Sequence, residues 1–427
     1  MEKRAYFCNV KQKIHVVRTL FLALFLTVAG ANQPLLAQDA SRMDSVEIGL
    51  VTCAPHEEVY SLYGHTALRF HDLRTGEDLM FNYGIFHPER KLFMWHFLQG
   101  HTDYELGVAP TNAFLKYYKK WGSQVIEQVL NLTNEEKALI INALRENYLP
   151  QNRIYRYNIF FDNCATRPRD IVVANILGHV EYAPREGFSP SFREMVRDCT
   201  AGHPWATFGN DILLGVRADM PTTQKEQHFL PVNLRYDFDR AVVVKLGERE
   251  PLVIERRELV PPGIQMVEQG FPLSPFACSL ILLALSMMIF TYEQMKKTII
   301  RWFDILLMLL TGIPGCILAL MLFSEHPTTS TNLQVLLLNP LPLFFLWPVA
   351  RGHKTWFFHL QLVLTLLFLA GGLWQSYAEG MYVVAVCVLL RIASHLSRRI
   401  TKESNKLPQQ KLNDKLLRTW TNKFVKR

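Results

Sequence analysis

Asn158-Ile159-Phe160-Phe161-Asp162-Asn163-Cys164-Ala165-Thr166-Arg167 reads as an extended aromatic run that halts at two residues favoured as helix N-caps. A cysteine follows them at once. A thiol at a helix N-terminus faces unpaired N–H groups and the positive end of the helix dipole, which lowers its pKa. Arg167, one turn on, adds positive charge. Pro168 clashes with a continuous helix, so the pattern predicts a helix that starts near Pro168 or is kinked there.

Outward from this stretch, only Cys53 and Cys199 join Cys164 outside the N-terminal signal region and the C-terminal apolar segments. At most one pair can form among three, so one thiol is left as an inert buried group or a nucleophile. A thiolate in acyl chemistry needs a base, and histidine is the usual one. The same part of the chain offers His56, His65, His71, His87, His96, His101, His179, His203 and His228. In Ser61-Leu62-Tyr63-Gly64-His65-Thr66-Ala67-Leu68-Arg69-Phe70, His65 follows a glycine and opens an alternating strand. That position can present a side chain to a neighbouring helix end. His101 is the second choice.

The surrounding region, from about Gln38 to Gly270, has the composition of an α+β domain. Strands are expected at Val46–Thr52, His65–Phe70, Leu79–Asn82, Ser123–Leu132, Leu230–Val232 and Ala241–Lys245. Helices are expected at Phe93–Leu98, Asn112–Trp121, Asn134–Tyr148 and Asp170–Leu177. Thr133 with Glu136 fits a capping box. Gly247–Gly263 reads as a polar approach to a membrane.

The rest of the chain is apolar. Spans are expected near Pro275–Tyr292, Trp302–Phe323, Leu333–Val349, Trp356–Trp374 and Met381–Leu396, each close to the roughly 20 residues that cross a hydrocarbon core. Pro340, Pro342 and Pro348 mark the third as kinked or re-entrant. Lys296, Lys297, Arg301, Arg351 and Lys354 lie in alternate connections and Arg398, Arg399 and Lys402 follow the fifth span, with Arg391 toward that span's end, while 324–332 and 375–380 hold no Lys or Arg. This positive-inside pattern puts the N-terminal domain outside and the C-terminus in the cytoplasm. A basic n-region, the apolar stretch Leu20–Gly30 and Leu35-Leu36-Ala37 before Gln38 read as a cleavable signal peptide, in agreement. Cys8 precedes that apolar core and is not a lipoprotein cysteine.

The expected organisation is therefore a signal peptide over 1–37, an exported domain over 38–270, a transmembrane bundle over 271–397 and a basic cytoplasmic tail over 398–427. A net charge of +8 needs no nucleic acid, because juxtamembrane lysines and arginines meet anionic lipid heads. There is no P-loop, no zinc-type spacing and no internal repeat, and no cofactor or metal is expected. Asp304 reads as an interfacial residue of the second span, and Asp211 as structural.

The order His65, Asn82, Cys164 resembles the circularly permuted papain-like fold of the lecithin:retinol acyltransferase group and NlpC-type cysteine peptidases. There a polar residue on the strand after the histidine orients the imidazole, a role Asn82 matches. A closer likeness spans most of the chain. Tyr63–Arg69, Phe81-Asn82-Tyr83-Gly84, Phe161–Arg167, Trp205–Gly215 and Phe229-Leu230-Pro231 resemble the Lnb family of bacterial lipoprotein N-acyltransferases, which also carry C-terminal membrane helices. The resemblance implies transfer of an acyl chain from a membrane phospholipid, through a Cys164 thioester, to the α-amino group of diacylated lipoproteins in the inner membrane. His65 and Asn82 would assist. Arg69 and Arg167 suit lipid phosphate, or else serve as ion-pair partners of nearby aspartates. A peptidoglycan-cleaving NlpC-like peptidase and a non-catalytic lipid- or lipoprotein-binding protein are the alternatives.

Overall fold

The structure is a computed structural model that describes residues 43–87, 92–265, 270–353 and 356–397. The expected signal peptide and basic tail lie outside the described residues. The chain divides into two compact units. The first draws on residues 43–87, 103–187 and 224–265, and the second on 92–102, 188–223 and 270–397.

In the first unit, seven strands form an antiparallel sheet in the order β10-β5-β1-β2-β3-β4-β6. They are β1 (Val46–Cys53), β2 (His65–Asp72), β3 (Asp78–Ile85), β4 (Asp103–Pro110), β5 (Val125–Leu130), β6 (Ile154–Arg156) and β10 (Val253–Val260). A second sheet runs β7 (His179–Glu181), β8 (Val242–Lys245), β9 (Glu248–Pro251). Alternation assigns the sheet's two faces. Leu50, Leu68, Phe81 and Tyr83 pack with the Asn134–Tyr148 helix residues Ile140, Ile141 and Leu144. Val51, Cys53, Ala67 and Met80 pack on the other face with Phe114 and Tyr118, from the Thr111–Lys120 helix. A one-residue slip would exchange these two buried sets, so the register is strongly specified. The expected capping box is present: Thr133 and Glu136 each bond the other's backbone N–H.

Two expectations in this region fail. Leu230–Val232 is not a strand. Pro231 opens the helix Pro231–Phe238 instead, since proline's fixed φ suits the first helical position. Residues 247–263 are not simply a polar approach to a membrane but carry β9, which pairs with β8, and β10, which pairs along β5. Within it Arg257 pairs with Glu47 and Glu255.

The second unit is helical. Pro275–Lys296, Arg301–Met321 and Leu333–Ala350 are long and apolar enough to cross a membrane, and Phe357–Gly371 and Met381–Ser397 are shorter apolar helices. The third segment is broken as its prolines suggest: a 3-10 turn over Leu333–Leu336 precedes the helix Leu341–Ala350. Asp304 is corrected from interfacial to buried. Arg391 bonds it at 2.7 Å and Glu293 at 2.7 Å, and His395 reaches it at 3.1 Å. A carboxylate there is held by paired charges rather than by water. Residues 188–223 also belong to this unit, where fully buried Arg193 bonds Asp211 and Asp219. Asp211 thus has the structural role expected of it.

Candidate active site

The local sequence builds the turn before Cys164 from asparagine side chains. Asn158 Oδ1 accepts from the N–H groups of Phe160 and Phe161. Asn163 Oδ1 accepts from Ala165 and Thr166, each at 2.9 Å, while its Nδ2 donates to the carbonyls of Ile159 and Phe229. A buried amide with both ends committed fixes the start of the Thr166–Ala174 helix. Pro168 falls in its first turn, where the missing N–H costs nothing. The sequence clash at Pro168 is resolved in that way.

His65 arrives from the sheet. Gly64 has φ +74, and a Cβ there would stand 2.9 Å from the Cys53 carbonyl oxygen, so only glycine suits the position. In the β2–β3 register Leu68 faces Phe81. One pair further sets Asn82 across from Ala67, on the His65 face and diagonal to it. His65 Nε2 and Asn82 Oδ1 are 2.5 Å apart. An amide oxygen only accepts, so Nε2 carries a proton and Nδ1 is the nitrogen left to exchange one. His65 and Cys164 lie close enough for each to shift the other's pKa.

The electrostatics favour an ion pair. Burial pushes the Cys164 thiol up, but the His65 charge, its hydrogen bond and the backbone N–H groups of Thr66 and Cys164 bring it below the ordinary thiol value. Burial pushes His65 down, yet the Cys164 charge and the bonds to Cys164 and Asn82 leave it above an ordinary histidine. Each partner stabilises the charged form of the other. Cys53, opposite His65 across β1 and β2, behaves otherwise. Burial drives that thiol well above its usual range, against the lowering effect of its bond to Tyr118. Cys53, Cys164 and Cys199 are all free.

Of the nine candidate histidines, His65 is the one this geometry joins to the thiol. His101 pairs with Glu325 in the helical unit, His87 with Glu105 and His228 with Asp237, and His56 stacks on Trp121. Arg69 is held by Asp78 at 2.7 Å and Glu127 at 2.8 Å, tying β2 to β3 and β5. Arg167 bonds Asp162 through two contacts of 2.6 and 2.8 Å and lies 3.6 Å over the Tyr155 ring.

Four neighbours of the thiol escaped the sequence reading: Thr66, Gly84, Tyr155 and Tyr157. Gly84 has φ +94 at a bulge in the β3–β4 pairing. A Cβ there would lie 3.5 Å from Cys164 Cβ and 3.4 Å from Tyr157 Cε2. Tyr157 stacks on Tyr104 at 4.3 Å, and Tyr104 on Phe86 at 5.3 Å, giving the site an aromatic wall. The alternating Ile154-Tyr155-Arg156-Tyr157 just before the cysteine stretch was the signal available.

Residues 33–185 match the family described as Lnb N-terminal periplasmic domain, and residues 266–403 match the one described as Lnb transmembrane domain. No curated protein and no solved structure matches the chain.

Proposed function

The chain belongs to the Lnb family through both of its parts, a membrane protein with a periplasmic N-terminal domain, and from that premise we propose that it is a lipoprotein N-acyltransferase with Cys164 as nucleophile. The observation that carries the reading is the constellation of buried Cys164 with half-buried His65 and Asn82, an activated nucleophile with an oriented base. The chain order of histidine strand, asparagine strand and cysteine helix supports a circularly permuted papain-like arrangement for this domain. The five apolar helices are read as five spans of the inner membrane, with the C-terminus in the cytoplasm.

The reaction runs in two halves. The Cys164 thiolate, its proton held on His65, adds to an ester carbonyl of a membrane phospholipid. Collapse of the tetrahedral intermediate breaks the ester C–O bond, and His65 returns the proton to the departing lysophospholipid oxygen. In the second half the α-amine of a diacylglyceryl cysteine attacks the thioester, His65 takes the amine proton, and the thiolate leaves. The products are an N-acylated lipoprotein and a lysophospholipid. Asn82 keeps the imidazole proton on Nε2 and the ring in line. The backbone N–H of Cys164, at a helix start, suits the oxyanion. Arg69 and Arg167 enter as internal ion-pair partners, since their guanidinium groups are engaged by carboxylates.

The test is mass spectrometry of lipoprotein N-terminal peptides from cells carrying the natural chain or Cys164→Ala as sole copy. Loss of one acyl chain in the variant supports the proposal. Unchanged triacylation with normal expression sinks it and turns attention to peptidoglycan fragments.

A further inference from the structure

Tyr155 ends its side chain in a hydroxyl that is buried and has no hydrogen-bond partner among the described residues. The residue is 7% exposed. A buried hydroxyl left unbonded costs about 1–3 kcal/mol, so such a group beside a nucleophile points to an acceptor that comes and goes with the reaction.

Its surroundings identify that acceptor. The point where Gly84 lacks a Cβ lies 3.5 Å from Cys164 Cβ, 3.4 Å from Tyr157 Cε2 and 4.0 Å from the Tyr155 hydroxyl. The missing Cβ leaves the flank of Cys164 uncovered on the side of the Tyr155 hydroxyl, an uncommitted donor. The Tyr155 ring is fixed for the purpose. Arg167, itself held by Asp162, covers one face at 3.6 Å, and Tyr83 meets the ring edge-on at 6.1 Å. A cation over the ring draws electron density from it and makes the phenol a stronger donor.

We propose that Tyr155 is a catalytic residue, the side-chain donor to the oxyanion formed when Cys164 adds to an acyl carbonyl. The inference rests on the acyl-transfer reading and names a residue for it. As sulfur bonds to the carbonyl carbon, the C=O π electrons move onto oxygen, which lies alongside Gly84 and accepts the Tyr155 O–H. The proton stays on the phenol throughout. When the C=O bond re-forms and the leaving oxygen departs, the hydrogen bond weakens again. Burial pushes the Tyr155 phenol up, so it remains a donor across the working pH range. Arg167 is a positioning residue, acting on the ring and not on the substrate.

The experiment uses the full chain and two probes. A p-nitrophenyl ester of a long-chain acid requires an oxyanion but no phospholipid headgroup. Iodoacetamide alkylates Cys164 by direct displacement, with no oxyanion at all. Tyr155→Phe keeps the ring and removes the donor. The expected result is a kcat for the ester lowered about 10²-fold, with KM and the alkylation rate unchanged across pH. An ester rate within twofold of the natural chain overturns the proposal. Equal losses in both probes also overturn it, because they place the hydroxyl's effect on the thiol itself. Turnover of the ester by the natural chain without turnover of phospholipid would sink the donor assigned above while leaving the Tyr155 comparison standing.

Discussion

Two histidines in the first unit are each pinned through Nε2, and they do opposite things. His65 bonds the amide oxygen of Asn82 and lies beside the Cys164 thiol. His228 bonds the carboxylate of Asp237 at 2.7 Å, and its Nδ1 has no partner among the described residues. Tyr182 covers its ring and Arg185 shares Asp237. Burial dominates for His228, and the nearby Arg169 and Arg185 add to it, leaving the pKa below the ordinary value despite Asp237. His65 ends above its ordinary value because the thiolate repays the burial. An oriented histidine is therefore common to both places, and a group that exchanges a proton with it is found only at one.

Breaking the comparison at the nucleophile gives the largest effect. Cys164→Ala should remove acyl-enzyme formation, lowering turnover by at least about 10³-fold, as read by intact mass after incubation with phospholipid. His65→Ala leaves the thiol with burial but no counter-charge, so its pKa should rise past the ordinary thiol value. Iodoacetamide alkylation at pH 7 should then fall about 10²-fold, and the alkylation profile should move to higher pH. His228→Ala should leave that profile unmoved.

Asn82→Asp sharpens the contrast by giving His65 the partner His228 has. A carboxylate raises the imidazole pKa further, so the alkaline limb of turnover should shift up by about one pH unit. A limb that stays in place would mean the 82 side chain does not reach the imidazole during turnover.

His228 should show itself in stability instead. Its folded pKa lies below the unfolded value near 6.5, so the unfolded chain takes up the proton first. Its share of stability is complete above pH 6.5 and is lost as pH falls toward the depressed folded value. His65, with a raised pKa, has the reverse slope. His228→Ala should cost about 3 kcal/mol at pH 7 and remove the acid-side loss, as followed by thermal unfolding of the full chain in detergent. Thr133→Ala, which removes half of the capping box of the Asn134–Tyr148 helix, should cost only about 1 kcal/mol and leave alkylation as it was.

The sequence by itself determined the local features. Alternation placed β1, β2 and β3, the Thr133–Glu136 pair set a helix start, apolar run lengths located the membrane helices, and Asp162-Asn163 put Cys164 at a helix N-terminus. These depend on neighbours within a few residues, where period and capping chemistry are enough. Tertiary structure alone decided which of nine histidines meets the thiol, and that Arg69, Arg167 and Asp304 are held in ion pairs. It also set β10 beside β5 across more than a hundred residues, and put Tyr155 and Gly84 against Cys164. Those outcomes depend on sheet register and on the pairing of distant charges. A single sequence constrains such contacts weakly, because a charged or aromatic residue is equally compatible with solvent, an ion pair or a site until the chain folds around it.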